Sequence, residues 1–469
     1  MLVTETVFET AATPNWGPSE VPTTALLTDH YELTMLRAAL KAGTANRRSV
    51  FELFGRRLPP GRRYGVVAGV GRALRALRAF RFDEEALRFL LEREVVDTVT
   101  ADWLADFRFS GDIWGYPEGE VFFPGSPLLV VESSFAEGVL LETVLLSIYN
   151  HDSAIASAAS RMTAMAGTRP CIEMGSRRTQ ELSAVAAARA AYIAGFQATS
   201  NLEAGRRYGV PTRGTSAHSF TLLHDSEREA FVAQIAALGE ETTLLVDTYD
   251  VVEAVKTGVE LTGGRLGAVR LDSGDLALIA SEVRELLDSL GATSTKIIVT
   301  SDLDEWTIAA LSGAPVDGYG VGTALVTGSG HPTCGFVYKL VARATSDDPA
   351  APLLSVAKKS ADKISVGGRK FALRRLTGGV AEAELIGVGE PPNGDHEDRE
   401  LLVPLVKAGQ IVGDEPLEAA RNRHARSRAE LPMEALKMSR GEPVIETVWT
   451  DSHQQRSVNP YASSEPGRE

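Results

Sequence analysis

The sequence predicts an α/β protein, built as a parallel sheet or a (β/α) barrel with one ligand-binding rim. Three short apolar runs, at residues 244–246, 266–269 and 297–299, each predict a buried strand. A polar turn follows each run, and a segment with apolar residues at helical spacing follows each turn. Parallel strands bring their carboxyl ends to the same edge of a sheet, so we expect these turns to lie together.

The second run leads into the most polar of these turns, residues 270–276 (RLDSGDL). It places the guanidinium of Arg270 and the carboxylates of Asp272 and Asp275 where an apolar strand ends, and residues 276–287 have helical spacing. A plain surface loop with an aspartate helix cap would give a similar pattern. Repetition of the pattern in neighbouring units favours a functional site instead.

The neighbouring units supply that repetition. Asp247 opens the polar turn after the first run, and Ser301 and Asp302 lie in the turn after the third. A fourth turn, residues 320–323 (GVGT), lets backbone N–H groups approach an anion as phosphate loops do. By itself such a sequence is more often only a tight turn.

A further polar constellation lies upstream, at residues 173–178 (EMGSRR) and 214–219 (GTSAHS). His218 stands among small residues and is predicted to lie on an exposed loop, where imidazole can act as a general base, a metal ligand or a phosphoryl acceptor. Nothing in this segment supplies the other ligands that a metal needs. A lone histidine is more often structural, but Arg177 and the 270–276 turn favour a chemical role here.

The composition is ordinary for a soluble globular protein, with a formal net charge of -14 over 469 residues. Such an acidic chain disfavours nucleic acid or an anionic membrane as the main partner, because both demand a basic surface. Its arginine pairs are therefore expected to act locally, where guanidinium groups bind carboxylate and phosphate bidentately. The length favours two closely packed domains over a single core.

The cysteines and the apolar segments predict a reduced, cytoplasmic protein. Cys171 and Cys334 cannot build a disulfide framework and have no neighbours at metal-ligand spacing. The N-terminus lacks the basic and apolar regions of a signal peptide. Glutamates interrupt the longest apolar stretch, residues 128–146, so together with residues 147–166 it is predicted to be long buried helix rather than a membrane span.

Eight short motifs occur along the chain in a fixed order. In that order they resemble the motifs of the nicotinate phosphoribosyltransferases, and ordered agreement is far more specific than any single motif. The resemblance fades after Lys370. The motifs are LTDHYELTM (27–35), FELF (51–54), MGSRR (174–178), ATSN (198–201), GTSAHS (214–219), DTYD (247–250), RLDSGDL (270–276) and GVGTAL (320–325).

The resemblance implies a type II phosphoribosyltransferase, in which an irregular (β/α) barrel packs with a sandwich-like N-terminal α/β domain. It implies transfer of a phosphoribosyl group from 5-phosphoribosyl 1-diphosphate to nicotinic acid, giving nicotinate mononucleotide and diphosphate in NAD salvage. It also implies ATP as a co-substrate whose hydrolysis is coupled to the transfer, Mg²⁺ as a cofactor, and a cytoplasmic homodimer with sites at the subunit interface.

The same resemblance sets the expected domain boundaries. An N-terminal extension (1–24) precedes an N-terminal α/β domain (25–130) that C-terminal segments complete. The barrel is expected at residues 131–345, and residues 346–453 are expected to pack on both. Residues 454–469 lack the apolar content that ordering requires and are predicted to be a disordered tail.

Carried over residue by residue, the resemblance also implies roles at the site. His218, Arg270 and Asp272 are the expected catalytic residues, with His218 phosphorylated by ATP and Asp272 holding the ribose hydroxyls. Tyr31 is expected to stack on the pyridine ring from the partner subunit. Mg²⁺ is expected to be held through the diphosphate near Asp272 or Asp275, with no direct protein ligand assigned. The expected substrate-binding residues are Tyr31, Met174, Arg177, Ser200, Ser219, Asp247, Ser301, Asp302, Gly320, Gly322 and Thr323.

Within that set, Arg177 and Arg270 are expected near the base and the diphosphate, while Asp302, Gly322 and Thr323 are expected around the 5-phosphate. Met174 stands where relatives often carry an aromatic residue beside the base, although a thioether also packs on rings.

Two alternative functions remain open at the level of sequence. A nicotinamide phosphoribosyltransferase has the same fold and similar motifs, but the EMGSRR and AHS segments fit the acid-using family better. A non-catalytic nucleotide-binding barrel protein is also compatible with the fold, because a fold does not fix function. His218, Arg270 and Asp272 together favour an enzyme over such a protein.

Overall fold

The computed structural model of the protein describes residues 23–358, 365–451 and 454–455. The predicted N-terminal extension and C-terminal tail lie almost wholly outside these residues. The N-terminal part contains α1 (His30–Lys41), β1 (Arg48–Gly55), β2 (Gly65–Val66), α2 (Val70–Arg78), α3 (Glu84–Glu92), α4 (Thr98–Ala105), β3 (Asp112–Gly115), β4 (Val121–Phe122), β5 (Pro127–Ser134), α5 (Phe135–Val139) and α6 (Glu142–Ala166).

The middle of the chain alternates strands and helices. Its elements are β6 (Cys171–Glu173), α7 (Glu181–Ile193), β7 (Ala198–Thr199), α8 (Leu202–Tyr208), α9 (His218–Leu222), α10 (Glu227–Leu238), β8 (Thr243–Leu245), α11 (Val251–Leu261), β9 (Ala268–Leu271), α12 (Leu276–Ser289), β10 (Lys296–Val299), α13 (Glu305–Ala310), β11 (Gly318–Val321) and α14 (Thr323–Val326).

The C-terminal part returns mainly to strands. Its elements are β12 (Phe336–Ala344), β13 (Leu353–Ser355), β14 (Lys370–Thr377), β15 (Val380–Val388), β16 (Arg399–Glu400), β17 (Val403–Lys407), β18 (Gln410–Ile411), α15 (Leu417–Ala429), β19 (Glu446–Asp451) and β20 (Gln454–Gln455). Short 3₁₀ helices span Leu311–Gly313 and Met433–Leu436.

A curled parallel sheet, an incomplete barrel, forms the middle of the fold. Within the described ranges it has six strands in the order β7-β6-β11-β10-β9-β8, and all neighbours pair in parallel. The strands β8 to β11 are neighbours in chain order, so the turns after them share one edge. The predicted α/β fold with a one-sided rim is confirmed.

An antiparallel sheet packs beside the barrel and draws strands from both ends of the chain. Counting only described residues, it has seven strands in the order β13-β12-β1-β5-β3-β17-β18. Helix α6 joins the two halves, because Tyr149 near its start belongs to the core under the antiparallel sheet and Met162 near its end to the barrel core. Both side chains are fully buried.

The prediction of continuous helix over residues 128–166 is wrong in its first part. Residues Pro127–Ser134 form β5, a strand between β1 and β3 that is buried for most of its length. Buried on both faces, such a strand shows no polar alternation to separate it from a buried helix. Helix begins only at Phe135, after Ser134, whose side chain forms a capping box with that of Glu137. In the described residues no helix is long and apolar enough to cross a membrane.

Two strands of the barrel end later in the chain than predicted. β9 is Ala268–Leu271 rather than residues 266–269, and its register pairs Arg270 with Ile298 of β10. β11 includes Gly320 and Val321, so the fourth turn begins at Gly322. The polar residue Arg270 is therefore held by a strand, which fixes its backbone more firmly than a turn would.

A buried ionic network fastens the C-terminal strands to the rest of the fold. The Arg374 Nη2 atom donates to Glu384 Oε1 at 2.6 Å and to the Val121 carbonyl at 2.8 Å. Arg399 donates to both oxygens of Glu120, at 2.9 and 3.2 Å. Arg374, Glu384 and Glu120 are fully buried, so each charge depends on its partners for compensation.

Removing one member of this network should therefore be costly. We expect Arg374→Met to lower the free energy of unfolding by about 3–5 kcal/mol, because it leaves the Glu384 carboxylate buried without its guanidinium. Arg228→Met, which breaks the exposed pair with Glu260, should lower it far less, because solvent screens that pair. Urea unfolding of the two variants measures the difference, and similar losses would contradict the expectation.

Candidate active site

A turn that carries polar residues, glycine or methionine follows every strand of the parallel sheet at its carboxyl end. The register places these ends side by side: Leu245 pairs with Arg270, and Val299 with Tyr319. We call this edge the rim. Around it, in the order of the strands, lie Ser200 after β7, Met174 after β6, Gly322 and Thr323 after β11, Ser301 and Asp302 after β10, Asp272 after β9 and Asp247 after β8.

Asp247 is the centre of one end of the rim. Its Oδ1 atom lies 3.1 Å from His218 Nε2, and its Oδ2 accepts from the Asp272 backbone N–H at 3.0 Å and from the Ser273 hydroxyl at 2.6 Å. Its side chain is only 5% exposed. One carboxylate thus fixes both the imidazole and the turn that carries Asp272.

His218 is the first residue of helix α9 and does not lie on an open loop as predicted. The preceding Ala217 is extended, so the chain enters the helix at the histidine itself. A carboxylate only accepts hydrogen bonds, so contact with Asp247 favours the tautomer that carries its proton on Nε2. The other nitrogen, Nδ1, then keeps its lone pair, while the side chain remains 42% exposed. Ser219 follows it on α9 and is exposed.

Arg270 points its guanidinium across the rim toward the segment before α9. Its Nη1 donates to Thr215 Oγ1 at 2.8 Å and its Nη2 to the Ser216 carbonyl at 3.0 Å. Burial lowers the pKa of Arg270, Asp272 and Asp247 oppose that shift, and Arg177 adds to it. Its buried Nε finds no hydrogen-bond partner among the described residues. A cationic patch formed by two arginines is suited to an anionic ligand.

The β6 end of the rim is organised by Glu173. Its carboxylate accepts from the Gly175 backbone N–H and from the Thr199 hydroxyl, and its carbonyl accepts from the Ser200 N–H at 2.8 Å. The residue is fully buried, and burial raises the pKa of its carboxyl while these hydrogen bonds lower it. Glu173 therefore holds the turns that carry Met174 and Ser200.

Met174 packs against Gly320 of the neighbouring strand. Its backbone N–H donates to the Val321 carbonyl at 2.8 Å. A Cβ atom added at Gly320 would lie 2.7 Å from the Met174 sulfur and 2.5 Å from Cγ2 of Thr300. Only glycine leaves room for the thioether here, so Gly320 shapes the rim by close packing.

The turn after β10 carries backbone strain. Ser301 has φ 99°, which L-residues rarely adopt. The adjacent Thr300 donates its hydroxyl to Asp272 Oδ1, linking this turn to the one after β9. Ser301 and Asp302 are exposed, so their side chains are available to a ligand.

Tyr31 belongs to the N-terminal part of the fold and not to the rim turns. It lies on α1, is 45% exposed, and its pKa is raised to about 12 by burial and by Glu142, Glu32 and Asp29. All three carboxylates belong to the N-terminal part of the fold.

Within residues 23–358, 365–451 and 454–455, no group of three His, Cys, Asp or Glu side chains could hold a metal ion. Mg²⁺ commonly uses one or two carboxylates plus substrate phosphates, and Asp272 suits that role. Asp275 instead caps α12 by accepting from the Leu278 N–H at 3.2 Å.

Several residues that organise the rim carried no role in the sequence analysis. Glu173 and Thr300 are the clearest, and Thr215 and Ser216 hold Arg270. Glu173, Thr215 and Ser216 lie in the EMGSRR and GTSAHS segments, and Thr300 directly follows the apolar run 297–299, but no role of their own could be read from those positions. These four residues organise the rim because they form hydrogen bonds with segments far away in the sequence.

This barrel with its polar rim, packed beside an antiparallel sheet, is the fold of the type II phosphoribosyltransferases. The crystal structure of human nicotinic acid phosphoribosyltransferase matches it with a TM-score of 0.78 at 26% identity, covering 90% of this chain and 97% of that chain. Residues 26–150 match the N-terminal domain of nicotinate phosphoribosyltransferase, and residues 170–366 match the nicotinate phosphoribosyltransferase family. The chain belongs to the nicotinate phosphoribosyltransferase family.

Curated relatives agree over most of the chain. Nicotinate phosphoribosyltransferase pncB1 of Mycobacterium tuberculosis is 57% identical over 440 residues, which cover 92% of this chain and 96% of that protein. Nicotinate phosphoribosyltransferase of Bacillus subtilis is 37% identical over 360 residues, or 75% of this chain and 73% of that protein. The family resemblance of the motifs is confirmed.

Close packing at Gly320 can be tested directly. We expect Gly320→Ala to lower the free energy of unfolding by about 1–3 kcal/mol, because the new methyl group overlaps the Met174 sulfur and Thr300. Gly313→Ala is the control, since a Cβ there meets nothing within 4 Å. Thermal unfolding of both variants measures the effect, and equal stability would show that the rim can relax around the methyl group.

A carboxyl group near Asp247 should give the protein a pH-dependent stability. The pKa of Glu227, on α10, is raised to about 6 by burial and by Asp250 and Asp247. The folded state holds this proton more tightly than the unfolded chain, whose glutamate titrates near 4.5. This contribution to stability is therefore present at low pH and is lost as the pH rises through about 6.

We expect Glu227→Gln to be more stable than the wild type near neutral pH and equal to it below pH 4.5. The increase in the free energy of unfolding should stay below about 1 kcal/mol, because solvent screens the partly exposed Glu227 side chain. Urea midpoints across this pH range measure it, with the exposed Glu229→Gln as control. A constant difference at every pH would contradict the linkage.

Proposed function

We propose that the protein transfers a phosphoribosyl group from 5-phosphoribosyl 1-diphosphate to nicotinic acid, with ATP hydrolysis coupled to the transfer. The products are nicotinate mononucleotide and diphosphate, which makes the reaction a step of NAD salvage. The observation that carries the proposal is the Asp247 carboxylate, which joins His218 to the Asp272 turn at the rim of a nicotinate phosphoribosyltransferase fold. Identity with curated relatives across almost the whole chain supports the choice of substrates.

The charges at the rim suit the transfer step. Departure of diphosphate from the anomeric carbon leaves positive charge on the ribose and negative charge on the leaving group. Asp272 can accept hydrogen bonds from the ribose hydroxyls and stabilise the sugar, while Arg270 and Arg177 can stabilise the diphosphate. Mg²⁺ bound to the diphosphate would neutralise part of its charge. The pyridine nitrogen is itself the nucleophile, so the transfer needs no nucleophile from the protein.

His218 then has a separate role in energy coupling. The Nδ1 lone pair attacks the γ-phosphorus of ATP, the bond from that phosphorus to the bridging oxygen breaks, and ADP leaves. Asp247 orients the ring and stabilises the positive charge that forms on the imidazole. A phosphoryl group on His218 would add negative charge beside the diphosphate site, alter the order of the adjoining segment and favour product release.

The nicotinate ring is assigned to the β6 end of the rim, beside Met174. The sulfur packs against Gly320, and a thioether makes favourable contacts with aromatic rings. Arg177 is exposed next to this end, and its guanidinium suits a carboxylate better than an amide. A pocket that pairs a charged group rejects the uncharged analogue strongly.

The site is proposed to be completed by a second copy of the chain. Tyr31 is exposed on the opposite half of the fold from the rim, where it can stack on the base bound by a partner subunit. The proposed assembly is a homodimer with shared sites. A strictly monomeric enzyme with full activity would exclude this role for Tyr31.

Initial rates with 5-phosphoribosyl 1-diphosphate and Mg²⁺ test the function, with nicotinic acid or nicotinamide and with or without ATP. We expect nicotinic acid to be preferred and ATP to stimulate the wild type. His218→Ala should keep basal transfer and lose the stimulation, and Asp247→Asn should weaken the stimulation by on the order of a hundredfold, as expected for a misoriented catalytic histidine.

The control is His224→Ala, whose ring contacts the Phe220 carbonyl instead of Asp247. Labelled ATP should leave a phosphoryl label on the wild type and on His224→Ala but not on His218→Ala. Preference for nicotinamide would make the protein a nicotinamide phosphoribosyltransferase. Turnover of neither base would leave a non-catalytic nucleotide-binding protein as the better description, and full ATP stimulation of His218→Ala would remove the phosphohistidine.

A further inference from the structure

We infer that Glu305 and Ser329 are positioning residues for the part of the rim that receives the 5-phosphate. Neither residue belongs to the rim turns themselves. The hydrogen bond between them connects the helix that follows the β10 turn with the segment after β11. This inference rests on the proposed function, because it assigns those two segments to the phosphate end of 5-phosphoribosyl 1-diphosphate.

Glu305 is the first residue of α13 and follows the turn that contains Ser301 and Asp302. Its side chain is 1% exposed. The Arg161 Nε–H donates to its Oε1 at 3.2 Å, and the Ser329 hydroxyl donates to its Oε2 at 2.5 Å. A single buried carboxylate thus joins α13 to helix α6 and to the segment after α14.

That segment is tightly constrained on its other side. The Ser329 backbone N–H donates to the Ala324 carbonyl of α14 at 2.7 Å, so Ser329 is bonded directly to the helix that begins at Thr323. The buried Arg62 donates from Nη2 to the Gly328 carbonyl at 2.6 Å. Displacement of Ser329 would therefore be transmitted to α14.

The backbone of this segment has an uncommon conformation. Ser329 has φ 53° and Gly328 has φ 61°, and a Cβ at Gly328 would lie 2.2 Å from the His331 carbonyl oxygen. A serine with positive φ is uncommon and persists where surrounding contacts hold it. The hydrogen bond to Glu305 is such a contact, and it links Ser329 to the helix that follows the Ser301 turn, where φ is also positive.

The strands that carry these two segments are neighbours, since Val299 of β10 pairs with Tyr319 of β11. The Ser301–Asp302 turn and the Gly322–Thr323 turn therefore flank the same stretch of rim. Their separation decides how well backbone N–H groups meet a phosphate, and the Glu305–Ser329 bond sets that separation. Binding of the base, which is assigned to the β6 end, should not be affected by a change in this separation.

Two cations face Glu305, because Arg161 is bonded to it and Arg62 lies close enough to interact with its charge. Substituting Glu305 would leave both buried guanidinium groups without their carboxylate, and the variant risks misfolding. Ser329→Ala is the better test, since it removes one hydroxyl and leaves the Arg161–Glu305 pair intact. Ser281→Ala is the matched control: its hydroxyl bonds only a helix carbonyl, that of Ala277, on the exposed face of α12.

Steady-state kinetics of the wild type, Ser329→Ala and Ser281→Ala provide the experiment. In Ser329→Ala we expect the KM for 5-phosphoribosyl 1-diphosphate to rise about tenfold, because the two turns lose the hydrogen bond that fixes their separation and their N–H groups are misplaced relative to the phosphate. The KM for nicotinic acid should match that of Ser281→Ala. An unchanged KM for 5-phosphoribosyl 1-diphosphate, or an equal rise in both KM values, would overturn the inference.

Calorimetric titration with ribose 5-phosphate measures binding to the same site without turnover. Weaker binding by Ser329→Ala than by Ser281→Ala supports the positioning role, and equal binding overturns it. If the wild type binds ribose 5-phosphate but forms no nucleotide, the proposed function is contradicted. The positioning role is then decided by the binding of ribose 5-phosphate to Ser329→Ala and to Ser281→Ala.

Discussion

Parallel pairing of β6 with β11, and of β8 to β11 with one another, is the constraint on which the rest of the structure depends. It brings the carboxyl ends of these strands to one edge, so that residues from widely separated segments become neighbours. Helix α6 stabilises this arrangement because it is buried in both cores and connects the barrel to the antiparallel sheet. The site is therefore a consequence of sheet direction rather than of any single loop.

Carboxylates connect the turns around most of the rim. Glu173 joins the turns after β6 and β7, and Asp247 joins those after β8 and β9. Asp272, after β9, accepts a hydrogen bond from Thr300, after β10, and Glu305 joins the segments after β10 and β11. Buried carboxylates are costly unless their oxygens are hydrogen-bonded, and each of these accepts at least one hydrogen bond from a neighbouring segment. These carboxylates therefore hold together the turns that carry the proposed substrate-binding groups.

The strands and turns of the barrel were readable from the sequence because each strand is short, apolar and followed by a polar turn. The errors arose where periodicity is ambiguous. Residues Pro127–Ser134 are buried in a central strand and were predicted as helix, and β9 runs on through Arg270. His218 was predicted on a loop but is the first residue of a helix, and the extended backbone before it ends at Ala217. Burial and pairing with distant strands decide such cases, and neither can be read from local pattern.

The sequence by itself determined the chemistry available to the protein: an ordered set of motifs, a family, and the side chains that follow each barrel strand. Only the tertiary structure decided which of these side chains meet. It placed β6 beside β11, out of chain order, set Asp247 against His218, and left Tyr31 on the other half of the fold. The physical reason is that hydrogen bonds between strands and across turns join residues far apart in the chain, and their geometry exists only after the sheet has formed.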